Sequence, residues 1–339
     1  MNYGSDNTAG VAPEILDALG PALAGSAMPY GNDEATRRLD RTLAEVFETD
    51  ELAVFPVATG SAANALALAS LCPPWGAVLC HNQSHINIDE CGAPEMFTGG
   101  AKLVALGGDH GRLDAAAVAE AVDGAGLGVV HRVQPRVVSL TQATEAGTVY
   151  PVSTIAEIAE TARSRGLKVH MDGARFANAV AATGSSPADM TWRAGVDVLS
   201  LGATKNGCIA AEAVIFFDRS LAADTAFRRK RAGHLFSKMR FLSAQLNAWL
   251  DDGLWLRLAA RSNGSAQRLA EGLAALPGVD LLHPVEANEI FAVLPDAMAD
   301  RLEAAGIRFY RWDGGSVRLV TSFAITDADV DRFLMIAQT

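Results

Sequence analysis

Lysine is scarce in this chain: among 339 residues there are five, Lys102, Lys168, Lys205, Lys230 and Lys238. Basic charge as a whole is outnumbered, with 28 Lys and Arg against 39 Asp and Glu, giving a formal net charge of −11. That balance argues against a chain built to hold nucleic acid, because phosphate contacts need net basic surface. Cysteine is limited to Cys72, Cys80, Cys91 and Cys208, without the paired spacing of a metal or redox motif. Four reduced, mostly buried thiols in a cytoplasmic protein are expected. The segment MNYGSDNTAG has neither a basic n-region nor an apolar h-region, so no signal peptide is expected. From Leu52 to Ile88 there is no Asp, Glu, Lys or Arg. Pro56, Gly60, Asn64, Pro73 and Pro74 interrupt this stretch, and its apolar helical part, Ala62 to Cys72, is far shorter than the ~20 residues of a bilayer span. It reads as buried protein interior, with no membrane partner. Neither G-x-G-x-x-G nor a P-loop occurs, and there is no internal repeat or low-complexity tract.

Half of the residues are hydrophobic, enough for a large core, and the length suggests two domains. The pattern predicts a helix from Pro13 and another over residues 37–48, where Leu39, Leu43, Val46 and Phe47 share one face. LAVFPVATG reads as a strand entering a loop, and SAANALALASLC as the helix after it. AVLC, AKLVALGG, RVVSL and LKVHMD read as further strands. Between them, LDAAAVAEAV is a helix with Asp114 as N-cap. STIAEIAETARSRG is another, with Thr154 and Glu157 at capping-box spacing and Gly166 at its C-terminal end. This alternation argues for a largely parallel α/β sheet. Past residue 240 the order of elements suits a smaller α+β unit, so residues 1–243 and 244–339 are taken as two domains.

Open α/β sheets bind ligands at the carboxyl ends of their strands, and three such ends are chemically distinctive. In ATGSAANA, Gly60, Ser61 and Ala62 open a helix whose free N–H groups and dipole suit a phosphate; the ordinary alternative is a turn capped by Ser61. In HMDGARFANA, Asp172 follows an apolar strand and needs a partner, for which the protonated nitrogen of a pyridine cofactor is suited. Arg175 there could pair with a ligand carboxylate or with Asp172. In VDVLSLGATKNGCIAAEAVIFF, Lys205 lies between two buried strands among small residues, with no charge nearby until Glu212. Desolvation drives an ammonium toward its neutral, nucleophilic form, so Lys205 is placed like a Schiff-base amine. His81, His85 and Asp89 have the i, i+4, i+8 spacing of a helical metal face, but His81 directly follows a strand, and no metal site is expected.

The strings SDNTAG, YGND, ATGSAANALAL, SHINIDECGAPE, SLTQATEAGTVYP, HMDGARFANA, GATKNG, SKMRF, EAN and VRLVTSF together resemble the L-threonine aldolases, in particular the low-specificity branch. The resemblance runs from Ser5 to about Ser322. It implies the fold of fold-type-I pyridoxal-phosphate enzymes and the reversible cleavage of L-3-hydroxy amino acids to glycine and an aldehyde. It also implies pyridoxal 5′-phosphate as cofactor and a homo-oligomer, dimer or tetramer, with shared active sites. On this likeness Lys205 is the cofactor-bound amine and Asp172 the partner of the pyridine nitrogen. His85 stacks on the cofactor ring near the substrate hydroxyl and is the proposed base, with His131 a second histidine near the β-substituent. Gly60, Ser61, Ala62 and Arg240 hold the phosphate, Arg240 reaching in from another subunit; Arg175 also belongs to the cofactor set. Ser5, Arg175 and Arg318 hold the substrate carboxylate, and Tyr30 is counted with the substrate residues. The same likeness leaves a β-eliminating lyase or a transaminase of this fold as the alternative.

Overall fold

The computed structural model describes residues 1–338. Its main sheet has seven strands: β1 (Ala53–Val57), β2 (Gly76–His81), β3 (Lys102–Leu106), β4 (Gln134–Thr141), β5 (Lys168–Gly173), β6 (Val198–Gly202) and β7 (Glu212–Phe216). They lie in the order β1-β7-β6-β5-β4-β2-β3. All neighbours pair in parallel except β7, which is antiparallel to both β6 and β1. Strands β2, β6 and β7 are buried at every position, as near-continuous Val, Leu, Ile and Ala runs require when helices cover both faces. Because β7 alone runs backwards, the start of β7 and the ends of β1, β4, β5 and β6 meet at one edge.

The uncharged helix Gly60–Leu71 is buried from Ala63 to Ala69. Leu66 and Ala67 pack with Val198, Val214 and Phe216, and Leu68 with Val78, Cys80 and Val137, so the missing charge is explained within the chain. Of the expected helix-end signals, two hold in the structure and two are resolved differently. Asp114 is the N-cap expected of it, accepting from the Ala117 N–H at 2.7 Å. Thr154 is not a cap, because the helix Val152–Arg163 starts two residues earlier behind Pro151; Pro151 brings a fixed φ suited to a helix start. Thr59, rather than Ser61, caps Gly60–Leu71, its hydroxyl accepting from the Ala62 N–H at 3.2 Å. Gly166 takes φ 75°, as a helix terminator in the left-handed region does. Cys72, Cys80 and Cys208 are buried, Cys91 is exposed, and all four thiols are free.

A second sheet, order β10-β11-β9-β8, is wholly antiparallel. It comprises β8 (Asp280–Leu281), β9 (Glu289–Val293), β10 (Tyr310–Arg311) and β11 (Ser316–Val320). It has its own core, which includes Leu269, Leu273, Ile290, Val317, Leu319 and Phe333. Tyr3 is buried in that second core, and its N–H bonds the Arg308 carbonyl at 2.7 Å, so the extreme N-terminus packs with the C-terminal sheet. The division expected after residue 243 falls inside the helix Arg240–Leu250, whose Leu246, Trp249 and Leu250 pack in the main core.

Two polar arrangements stiffen the sheet beneath the edge where β5 and β6 end. Asn206, next to Lys205, donates from Nδ2 to the Trp255 carbonyl at 2.8 Å and accepts through its carbonyl from Trp249 Nε1 at 3.0 Å. His170, on β5, lies between Ser139 Oγ on β4 (2.9 Å) and Ser200 Oγ on β6 (3.0 Å). Burial lowers its pKa from 6.5 to about 4. The unfolded chain therefore takes up this proton at a higher pH than the folded one, so His170 stabilises the fold above pH 6.5 and the contribution is lost as pH falls toward about 4. Urea midpoints should fall across that interval, and His170→Asn should flatten this part of the profile; parallel profiles in both proteins would disprove the account.

Candidate active site

The carboxyl edge gathers the loop after β1, the end of β5, the turns after β4 and β6, and the short helix that His85 opens after β2. Gly60, Ser61, Asn64, His85, Glu90, Glu145, Asp172, Arg175, Lys205 and Glu212 line one cavity of about 400 Å³ there. An outer cavity of about 790 Å³ shares His85, Glu145, Arg175 and Lys205 with it and adds Ser5 and Arg318 from the second sheet's side. Among the described residues, no hydrogen bond or ion pair engages the Lys205 amine.

The cavity floor is a chain of hydrogen bonds. Asp172, 4% exposed, accepts from the Ala174 N–H at 3.0 Å on Oδ1 and from Asn64 Nδ2 at 2.8 Å on Oδ2. The same Asn64 amide donates to Glu90 Oε1 at 2.9 Å, and Glu90 Oε1 lies 2.8 Å from His85 Nδ1. The Glu90 side chain is fully buried, so its hydrogen bond raises the His85 pKa above 6.5, against the pull of burial and with the help of Asp172. A carboxylate on Nδ1 fixes the proton there in the neutral ring and leaves Nε2 as the basic nitrogen. Glu145 Oε1 accepts from the His85 backbone N–H at 2.7 Å and from Thr141 Oγ1 at 2.9 Å. Burial, then the Asp172 charge, pushes Glu145 up to about 7. Burial likewise raises Glu212 to about 7.

Arg175 is occupied. Its Nε and Nη2 donate to the two oxygens of buried Asp6 at 2.7 and 3.0 Å, and Nη1 lies 3.1 Å from Glu289 Oε2. It does not pair with Asp172. Burial acts to raise the Asp6 pKa, but Arg175 and Lys205 outweigh it and hold Asp6 below the usual carboxylate range. Arg318 lies on the outward face of β11, between buried Val317 and Leu319, as alternation requires. It donates from Nη2 to the Gly4 carbonyl at 3.1 Å, while its buried Nε has no partner among the described residues. Ser5 Oγ accepts from the Asn7 N–H at 3.2 Å.

Three residues singled out in the sequence lie away from both cavities of their own chain. His131 precedes β4, so it stands at the opposite edge, roughly 25 Å along that strand from Thr141. Tyr30 is 45% exposed, with Lys230 Nζ 5.1 Å from its ring centroid. Arg240 donates to the Leu23 and Gly25 carbonyls at 3.3 and 3.0 Å. The N–H of Ala62 is taken by Thr59, which leaves those of Gly60 and Ser61 at the open helix end. Conversely, Asn64, Glu90, Glu145 and Asp6 escaped the reading of the sequence. The usable signal for Asn64 was a lone amide within ANALALAS; the two glutamates carried none, since acids in polar segments are ordinarily solvated.

These groups fit pyridoxal phosphate. Lys205 offers an unengaged amine, Asp172 has acceptor capacity left after two bonds, and a Cβ built on Gly60 meets nothing within 4 Å, so a phosphate has room at the helix end. A family model described as beta-eliminating lyase matches residues 3–297. The low-specificity L-threonine aldolase of Pseudomonas aeruginosa is 44% identical over 339 residues, covering 100% of this chain and 96% of the relative. The structure of Leishmania major threonine aldolase superposes with a TM-score of 0.93 at 28% identity, covering 99% and 98% of the two chains. A C-DES variant with glycine covalently linked to its pyridoxal-phosphate cofactor superposes at 0.71 with 18% identity, over 99% and 96%; this likeness concerns the fold alone. Sheet order, site and full-length similarity agree: the chain belongs to the beta-eliminating lyase family, matching its low-specificity L-threonine aldolases from end to end.

Proposed function

We propose that this protein is an aldehyde-lyase that holds pyridoxal 5′-phosphate at Lys205 and cleaves L-3-hydroxy amino acids such as L-threonine to glycine and an aldehyde. The observation that carries the reading is the arrangement around one cavity of an unengaged Lys205 amine, an Asn64-braced Asp172 and the open N-terminus at Gly60 and Ser61. When bound, the cofactor supplies an electron sink for the pair released at the substrate's α-carbon. Lys205 would hold it covalently, Asp172 would keep its pyridine nitrogen protonated, and the Gly60 and Ser61 N–H groups would take its phosphate. Arg318 and Ser5 bind the substrate carboxylate, with Arg175 lending charge from within its acidic pair. His85 takes the hydroxyl proton at Nε2, and Glu90 fixes that tautomer.

Arg240 and His131 serve, on this reading, a neighbouring subunit of a dimer or tetramer. Exposed Leu127, Val129, Val130 and Val133 around His131 give such a contact an apolar surface. We also place the division between the two units within the helix Leu254–Ala274, whose residues Leu254 to Ala259 pack in the first core and Ala266 to Leu273 in the second. The protein is assigned to the cytoplasm on its four free thiols; no helix among the described residues is long and apolar enough to cross a membrane.

Product analysis tests the activity. Glycine and acetaldehyde from L-threonine are expected, whereas keto acid with ammonia, or a new amino acid, would assign a β-eliminating lyase or a transaminase. The Glu90 contact makes a separate, signed prediction. Since Glu90 raises the His85 pKa, the neutral base appears only as pH climbs past the ordinary imidazole range. Glu90→Gln should therefore move the acidic limb of kcat/KM to lower pH. A limb that stays in place would remove His85 from the proton transfer or Glu90 from its control.

A further inference from the structure

Around Arg318, one wall of the outer cavity carries aromatic side chains that have no part in the reading above. Tyr310 pairs with Arg318, and Arg318 with Phe291, across β10, β11 and β9. Directly opposed residues share a sheet face, so these three side chains stand together on the face away from the second core. Trp312 extends the group, stacking with Phe291 and with Tyr310 at 6.4 Å between centroids in each case and interplanar angles of 6° and 20°. His283 meets the Phe291 ring edge-on at 5.6 Å. The Arg318 guanidinium sits 4.9 Å from the Tyr310 centroid, so the wall is held in place by its own contacts. Tyr310 and Trp312 nevertheless remain 51% and 48% exposed, a large aromatic area to leave to water in a cavity. All five side chains line the same outer cavity as Lys205, His85 and Arg175.

We propose that this aromatic wall is the subsite for the substrate's β-substituent, and that it favours 3-hydroxy amino acids bearing an aryl ring over those bearing a methyl group. The inference rests on the proposed aldolase reading, because it requires an amino acid held at Lys205. A phenyl ring can stack offset or edge-on against the wall, whereas a methyl group covers little of it. The rings are already ordered against one another, which limits the entropy lost on binding. Arg318, standing between Tyr310 and Phe291, places a cation for the carboxylate beside these rings.

The test compares kcat/KM for L-phenylserine and L-threonine in the native holoenzyme, Trp312→Ala, Phe291→Ala and Trp312→Phe. Cofactor absorbance per subunit and light scattering are recorded for each. The phenylserine-to-threonine ratio should fall ~10-fold or more in both alanine variants, the scale on which lost apolar contact discriminates substrates, while Trp312→Phe keeps most of it. Ratios within about twofold of native in both alanine variants would overturn the subsite. A changed assembly state with an unchanged ratio would overturn it too, making the wall a subunit contact. Should Trp312→Ala lose its cofactor, Phe291→Ala decides alone, by the same criterion. Glycine release from L-threonine with unmoved ratios refutes the subsite and leaves the aldolase reading intact; release from neither substrate by the native protein refutes both.

Discussion

Lys205→Ala is expected to abolish the visible absorbance of bound cofactor and to take glycine release from L-threonine below detection. No other lysine can substitute. Lys168 pairs with Asp197 at 2.9 Å, Lys230 lies against Tyr30, and Lys102 and Lys238 are exposed; none lines either cavity. Among the described residues no hydrogen bond or ion pair engages that amine, so its removal breaks none and the fold should survive. Absorbance and turnover, with circular dichroism to verify folding, decide the matter. A folded variant that still turns over would mean that the covalent anchor has been assigned to the wrong residue.

The second large effect is at His85. His85→Asn should lower turnover by ~10²–10⁴, the span typical of a positioned acid or base, while cofactor occupancy stays near native. Glu90 engages Nδ1, and the ring lies in both cavities, so Nε2 is the nitrogen available to a substrate proton. Asparagine keeps a polar group near Glu90 but has no basic nitrogen. If turnover is unchanged, the proton role passes to Glu145, raised to about 7 by burial and by Asp172, or across a subunit contact to His131. The pH profile of the variant separates a lost base from a displaced cofactor, because a displaced cofactor shows first in the absorbance.

Much of this site could be read from the linear chain. Lys205 and Asp172 were legible because each follows a run of apolar residues, and a charged group placed there needs a partner. Gly60 and Ser61 were legible because a strand entering a helix leaves N–H groups open. The buried acids other than Asp172 were not legible. Asp6 sits near the N-terminus and Glu289 on β9, and only folding brings both onto Arg175, where 11% of the Arg side chain remains exposed. Tyr30 and His131 carried family likeness but no local signal of position, and in a single chain neither reaches the cavity.

The sequence by itself determined which segments become buried strands, that the largest uncharged stretch is interior, and which lysine stands among small neighbours. These are local properties, set by side-chain period and by the free energy of removing charge from water. Only the tertiary structure decided that β7 runs against its neighbours, bringing Glu212 to the edge where Lys205 lies, and that Asn64 couples Asp172 to Glu90 and so to His85. The two contacts of Asn64 join residues 26 and 108 positions apart. Hydrogen bonds of this kind depend on tenths of an ångström, which no spacing in the chain encodes; the packing of the sheet and its helices sets them.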